Sequence, residues 1–187
     1  MSKALRATAL LMPLALLVSG CLFETTLDAK GGGTVKAHYK MAKDQTLEQQ
    51  KKNFTSSNMT VTKATLDKDN MVDIEAAYKD VTKLSSAAIF KSVQLAVTKD
   101  EKAGTTSLNA KQVNRNAAKL PDAVLDYFGR EFSVALTVPG EVVKSNGEAK
   151  GQTVTWKMPL TTIIGDKEVP FEVTWKTPAA DPAAAAK

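Results

Sequence analysis

Cysteine and histidine are almost missing from this chain, which carries one of each, Cys21 and His38, in 187 residues. A lone thiol excludes an intramolecular disulfide and a cysteine-cluster metal site. A lone imidazole excludes histidine-rich zinc sites and leaves little to build a Ser-His-Asp triad from. Aromatic residues make up only 6%, so a core has to rely on Val, Leu, Ile, Met and Ala. Arginine is scarce as well, limited to Arg6, Arg115 and Arg130. The remaining cations are lysines spread along the chain, whereas nucleic-acid binding uses clustered basic residues, so no nucleic-acid partner is expected. Such charge is compatible with anionic lipid headgroups, but plain solubility is the simpler account of it. No stretch of about 20 apolar residues occurs, so no membrane-spanning helix is expected.

What is present is an address. Lys3 and Arg6 form a positive start, and Ala7 to Val18 is apolar apart from Thr8 and Pro13. This run is too short to span a bilayer and fits the apolar region of a signal peptide. The small residues Ser19 and Gly20 follow, then Cys21. The sequence Leu17-Val18-Ser19-Gly20-Cys21 resembles the bacterial lipoprotein box. The resemblance implies a diacylglyceryl thioether on Cys21, cleavage between Gly20 and Cys21, and further acylation (palmitate-type) of the new N-terminus. Two or three acyl chains anchor stably where one binds only marginally. The expected partner is therefore a membrane, held through Cys21 without a spanning helix, with the domain outside the cytoplasm. Leu22 follows the cysteine where an Asp would resemble an inner-membrane retention signal, so the outer membrane is favoured in a two-membrane organism. Taking Lys3 and Arg6 from the 25 basic residues leaves 23 against 20 acidic ones in the mature chain. The triplets Asn53-Phe54-Thr55 and Asn58-Met59-Thr60 have the form of glycan acceptors, and the bacterial address discounts both.

Alternation dominates the rest. Val72/Ile74/Ala76/Tyr78, Phe132/Val134/Leu136/Val138, Val154/Trp156/Met158/Leu160 and Val169/Phe171/Val173/Trp175 each place apolar side chains on one face. So do Phe23/Thr25/Leu27/Ala29, Val35/Ala37/Tyr39/Met41, Val93/Leu95/Val97 and Thr106/Leu108/Ala110. A period of two with one apolar face marks half-buried antiparallel strands. Gly31-Gly32-Gly33, Asp67 to Asn70, and Lys99 to Gly104 read as hairpin connections, and Asn146-Gly147 as a tight turn. Helical spacing predicts three short helices: Leu47, Gln50, Lys51 and Phe54, with Asp44 as N-cap; Leu84, Ala87 and Ala88, after Asp80; and Leu120, Val124 and Phe128, between Pro121 and Gly129. The expected fold is α+β, an antiparallel sheet dominated by hairpins with about three short helices packed on one face. A hairpin-plus-helix unit recurs at roughly 35 residues without matching residues between copies. The organisation is a signal peptide over 1–20, a lipid-anchored domain over 21–176, and an Ala/Pro-rich tail over 177–187 with nothing large to bury.

No enzyme is expected. His38 lies in a strand on the face opposite Val35 and Tyr39, where it is solvated. Asp67, Asp69 and Asp73 lack the glycine and terminal glutamate of an EF-hand loop, and a hairpin turn accounts for the first two. Glu141 and Glu148 have no evident carboxylate partner. The glycine run lacks the Gly-Lys-Ser/Thr ending of a phosphate loop. No metal and no cofactor are expected. Binding is better supplied: a helix-covered sheet can leave an apolar cavity between its layers, with Phe54, Tyr78, Phe90, Phe128, Phe132, Trp156, Phe171 and Trp175 as large side chains to line it or fill it. Trp156 and Trp175 are the candidate ligand-lining residues, and core packing is the other account of both.

One region carries a resemblance. Phe132 to Val138 runs into Pro139-Gly140, then to Asn146-Gly147, then through Gly151-Gln152-Thr153-Val154-Thr155 to Trp156. With the junction Tyr78-Lys79-Asp80-Val81-Thr82-Lys83-Leu84 and the start at Cys21, it is similar to bacterial envelope lipoproteins of the LppM type. The resemblance spans most of Phe23 to Trp175 and implies an α+β sheet domain on the outer face of a membrane. A lipid-binding role has been proposed for some members. The tail departs from members with a hydrophobic C-terminal anchor. The expected function is a membrane-anchored envelope lipoprotein that binds a lipid or lipidic metabolite without catalysis; the alternative is a protein-interaction or structural module of the envelope.

Overall fold

The computed structural model describes residues 20–115 and 121–178. The expected signal peptide up to residue 19, Leu120 of the third helical pattern and the expected tail from residue 179 lie outside the described residues. The three expected hairpins form. The first joins β1 (Gly20–Leu27) to β2 (Gly33–Lys40). Its turn is held by the Asp28 carboxylate, which accepts from the amides of Lys30 at 2.7 Å and Gly32 at 3.0 Å. Gly31 sits at φ +91°, where a side chain would be strained. The second joins β3 (Met59–Leu66) to β4 (Met71–Tyr78), and Asp67 accepts from the amides of Asp69 and Met71 at 2.8 and 2.9 Å. This aspartate is spent on a turn. The third joins β5 (Val93–Asp100) to β6 (Thr105–Val113).

The connecting helices are short. α1 (Leu47–Asn53) is capped by Thr46 rather than Asp44: the Gln49 amide donates to the Thr46 hydroxyl at 3.3 Å and the Thr46 amide to the Gln49 side chain at 2.8 Å. That reciprocal pair satisfies two of the helix's free donors, so the first turn starts there. The segment after Asp80 forms two 3-10 turns, Val81–Ser86 and Ala88–Phe90, instead of an α-helix, because Ala87 between them is extended. α2 (Asp122–Phe128) runs from Pro121 to Gly129 as expected, with Gly129 at φ +91°.

The C-terminal part holds β7 (Glu131–Thr137), β8 (Val142–Ser145), β9 (Glu148–Lys150), β10 (Thr153–Pro159), α3 (Leu160–Gly165) and β11 (Glu168–Lys176). α3 corrects the alternation that carried β10 on to Leu160. Pro159 closes the pairing opposite Glu131, and Leu160 turns into a helix that buries Leu160 and Ile163 together. A proline has no amide to carry a ladder further.

The strands divide between two sheets. The larger has the order β3-β4-β2-β1-β7-β10-β9, and the smaller β5-β6-β11-β8. All pairings are antiparallel except β1 with β7. The α+β class, the antiparallel hairpins and the few short helices are as expected. The Asn146-Gly147 pair is not a hairpin turn: β8 pairs with β11 in the smaller sheet and β9 with β10 in the larger, so the chain changes sheets between them. The third hairpin likewise stands in a different sheet from the first two, so the roughly 35-residue recurrence does not give equivalent surroundings. Thr177 still belongs to the fold, its amide donating to the Gly104 carbonyl at 2.9 Å and its hydroxyl 2.8 Å from that of Thr106.

Candidate functional site

The strand period puts Cys21, Phe23, Thr25 and Leu27 of β1 on one side, toward the smaller sheet. Cys21 stands opposite Phe132 of β7, and Phe23 stands between Ala37 of β2 and Val134 of β7. Four aromatic rings gather here. Phe23 lies parallel to Tyr39 with centroids 6.3 Å apart, meets Phe90 edge-on at 6.3 Å, and tilts against Phe132 at 5.8 Å. Tyr39 is pinned from α1, its hydroxyl donating to Gln50 at 2.7 Å, and buried Gln50 donates in turn to Gln45 at 2.7 Å. Burial raises the Cys21 thiol above its ordinary pKa. Burial also raises the Tyr39 hydroxyl, with a smaller push from the neighbouring sulfur of Cys21.

The packing around this cluster is discontinuous. One buried core joins the two sheets through Val35, Ile74, Val154, Trp156, Val173 and Trp175, with Phe54 and Met59 fully enclosed. A second, smaller core consists of Leu125, Leu160, Ile163 and Val169, from α2, α3 and β11. Met158 and Phe171 pack against both cores and are only half-buried. Phe23, Tyr39, Phe90, Phe128, Phe132 and Val134 are half-buried too, although they point inward. Phe23, Tyr39, Phe132, Met158 and Phe171 therefore form an apolar seam of partly covered side chains beside the cores, and Cys21, half-buried itself, stands next to it opposite Phe132. This seam was missed in the sequence: alternation shows that Phe23 and Phe132 face inward, but not whether another layer closes over them.

The two tryptophans stand elsewhere. Trp156 is 5% exposed and Trp175 2%. The Trp156 indole meets Phe171 edge-on at 5.5 Å, so it touches one wall of the seam from behind, and its N–H donates to the Asn146 side chain at 2.7 Å. Trp175 lies near the far end, where Gly140 approaches its ring. The two are members of one core and do not converge on one cavity wall.

The outer face of the larger sheet is polar. An open hollow of about 490 Å³ there is lined by Glu24, Lys36, His38, Lys63, Asp73 and Glu75 among others. Its charges pair across strands: His38 Nδ1 lies 2.7 Å from Asp73, and Lys36 and Lys63 lie 3.9 and 4.0 Å from Glu75. His38 is thus a solvated partner of Asp73. Glu141 is paired with Lys176, whose ammonium holds its carboxyl below the usual carboxylate range. Among the described residues, no three His, Cys, Asp or Glu side chains gather as metal ligands, and no helix is long and apolar enough to cross a membrane.

The profile of the LppM domain matches residues 23–164 of the chain. Among solved structures, the folded domain of the LppM protein of Mycobacterium tuberculosis, determined by NMR, is similar at 16% identity and a TM-score of 0.49, with 87% of this chain and 91% of that one covered. The comparison with curated proteins found no match.

Proposed function

Because the chain belongs to the LppM domain family, we propose that it acts as a lipid-anchored protein of a bacterial cell envelope that binds a lipid or lipidic metabolite and does not turn it over. The anchor is the diacylglyceryl group on Cys21, and the outer membrane is its place where two membranes exist. The observation that carries the binding reading is the half-buried seam of Phe23, Tyr39, Phe132, Met158 and Phe171 beside the two buried cores. Apolar surface left uncovered inside a fold favours an apolar occupant, at about 0.8 kcal/mol for each methylene removed from water. The polar groups at hand are few, the Cys21 sulfur and the Tyr39 hydroxyl, which is already spent on Gln50. An acyl chain matches that distribution better than a sugar or an ion does.

Trp156 offers the readout. It abuts Phe171 of the seam, whereas Trp175 sits in the closed core. Delipidated protein titrated with phospholipid or neutral lipid should show a saturable shift in tryptophan emission. Trp156→Phe should abolish that shift while Trp175→Phe preserves it, and Phe132→Ala should weaken binding several-fold. No saturable response, together with no lipid co-purifying in native mass spectrometry, would turn the reading to a protein-interaction module.

A further inference from the structure

We infer that the end of the domain bearing Cys21 is a docking face for the bilayer, so that the seam opens directly against lipid; the inference rests on the anchor proposed for Cys21. Three features of that end carry it. The first is the position of the anchor. Cys21 is already inside β1 and paired with β7, so no slack chain separates the acylated sulfur from the folded sheet. Strand order places β1 in the middle of the larger sheet. Thioether-linked chains leaving Cys21 hold the whole end of the sheet at the headgroups and prevent it from swinging free.

The second feature is what flanks the anchor. The described residues contain three exposed large hydrophobic side chains, Leu66, Val143 and Ile164. Leu66 ends β3 and Ile164 follows β10, both at the Cys21 end. In the strand order β3 and β10, which lead to them, lie on opposite sides of β1. Singly exposed apolar residues are ordinary. Val143 belongs to β8 at the other end, and the two at the Cys21 end offer apolar contact on either side of the attachment point.

The third feature is a lysine–tyrosine group between them. Lys40 lies 4.6 Å and Lys43 5.8 Å from the Tyr127 ring centroid. The Tyr127 hydroxyl donates to the Met41 carbonyl at 3.0 Å, which fixes the ring at this end. Tyrosine and lysine with apolar bodies and polar tips are the residues that settle at a membrane–water boundary. Acidic residues also occupy this end, among them Asp44, Asp67, Asp122 and Asp126, and Asp126 pairs with Arg130. The face is mixed in charge, so its seating should not depend on anionic lipid.

The test uses the acylated mature protein in vesicles of zwitterionic phospholipid. Acylation blocks the only native thiol, so one introduced cysteine carries a polarity-sensitive fluorophore. Leu66→Cys and Ile164→Cys report on the docking end, and Ala29→Cys and Ala103→Cys, exposed in the turns at the other end, serve as references. Lipid carrying a nitroxide near the headgroup should quench the first two labels several-fold more than the references. Acyl mass on the protein with equal quenching at both ends, or with none, overturns the docking face alone. A mature mass without acyl groups removes the anchor and the docking face together. A Leu66→Asp/Ile164→Asp chain should remain acylated and lose the difference in quenching of a label at Lys43→Cys; an unchanged difference counts against the face.

Discussion

Asn146 and Gly147 show how much one position can hold. The Asn146 side-chain oxygen accepts from the Trp156 indole at 2.7 Å and from the Glu172 amide at 2.8 Å, while its amide group donates to the Pro170 carbonyl at 3.1 Å. It therefore ties β10 of the larger sheet to β11 of the smaller. Asn146→Ala would leave the shielded indole N–H without a partner, a loss of about 1–3 kcal/mol, to be measured by urea unfolding with tryptophan emission. Gly147 allows this approach: a Cβ there would lie 2.7 Å from the Trp156 nitrogen and from a Val154 methyl. In the sequence the pair reads as a turn, because Asn-Gly favours tight hairpins whenever its flanks pair with each other. Here the flanks pair with different strands, which is tertiary information. The role expected of Cys21 rests instead on a linear string, which the fold neither supplies nor alters. The alternation of the last strands makes the shielding of Trp156 and Trp175 legible, but it cannot say which of them reaches the seam.

Among the elements, hairpins were the most readable and short helices the least. Three hairpins appear where turn residues separate alternating runs, since strand face and turn chemistry are both local. α3 has six residues, with neither a capping side chain nor a long apolar stripe, and exists because Leu160 and Ile163 complete the second core. α1 is the better-specified helix, and its boundary can be tested. Thr46→Ala removes the hydroxyl that accepts the Gln49 amide and should cost about 1 kcal/mol, seen as a lower urea midpoint with an unchanged slope. Because α1 presents Gln50 to Tyr39, loosening it should also broaden lipid binding before the fold is lost. No effect on either quantity would mean that the helix is held by packing alone.

Across the whole molecule, the two cores share Met158 and Phe171, whose side chains stay partly exposed. A ligand that fills the seam binds the folded state and has no site on the unfolded chain, so it must stabilise the fold by mass action, about 2.7 kcal/mol at a free concentration of 100 times its Kd. Scanning calorimetry of delipidated protein, with and without saturating lipid, should show a rise in Tm that scales with the logarithm of lipid concentration. A Tm indifferent to lipid would mean that the seam stays empty under those conditions.

The pairing of β1 also sets an order of events. In the uncleaved chain Gly20 and Cys21 pair with Glu131 and Phe132 of β7, so once β7 has joined the sheet the bond proposed for cleavage lies in a strand ladder with a segment more than a hundred residues downstream. Enzymes that act on Gly20 and Cys21 need that stretch unpaired and extended in their own clefts. Maturation then has to run while β1 still waits for β7. A chain that folded ahead of its modifying enzymes would shut away its own processing site and stay a precursor.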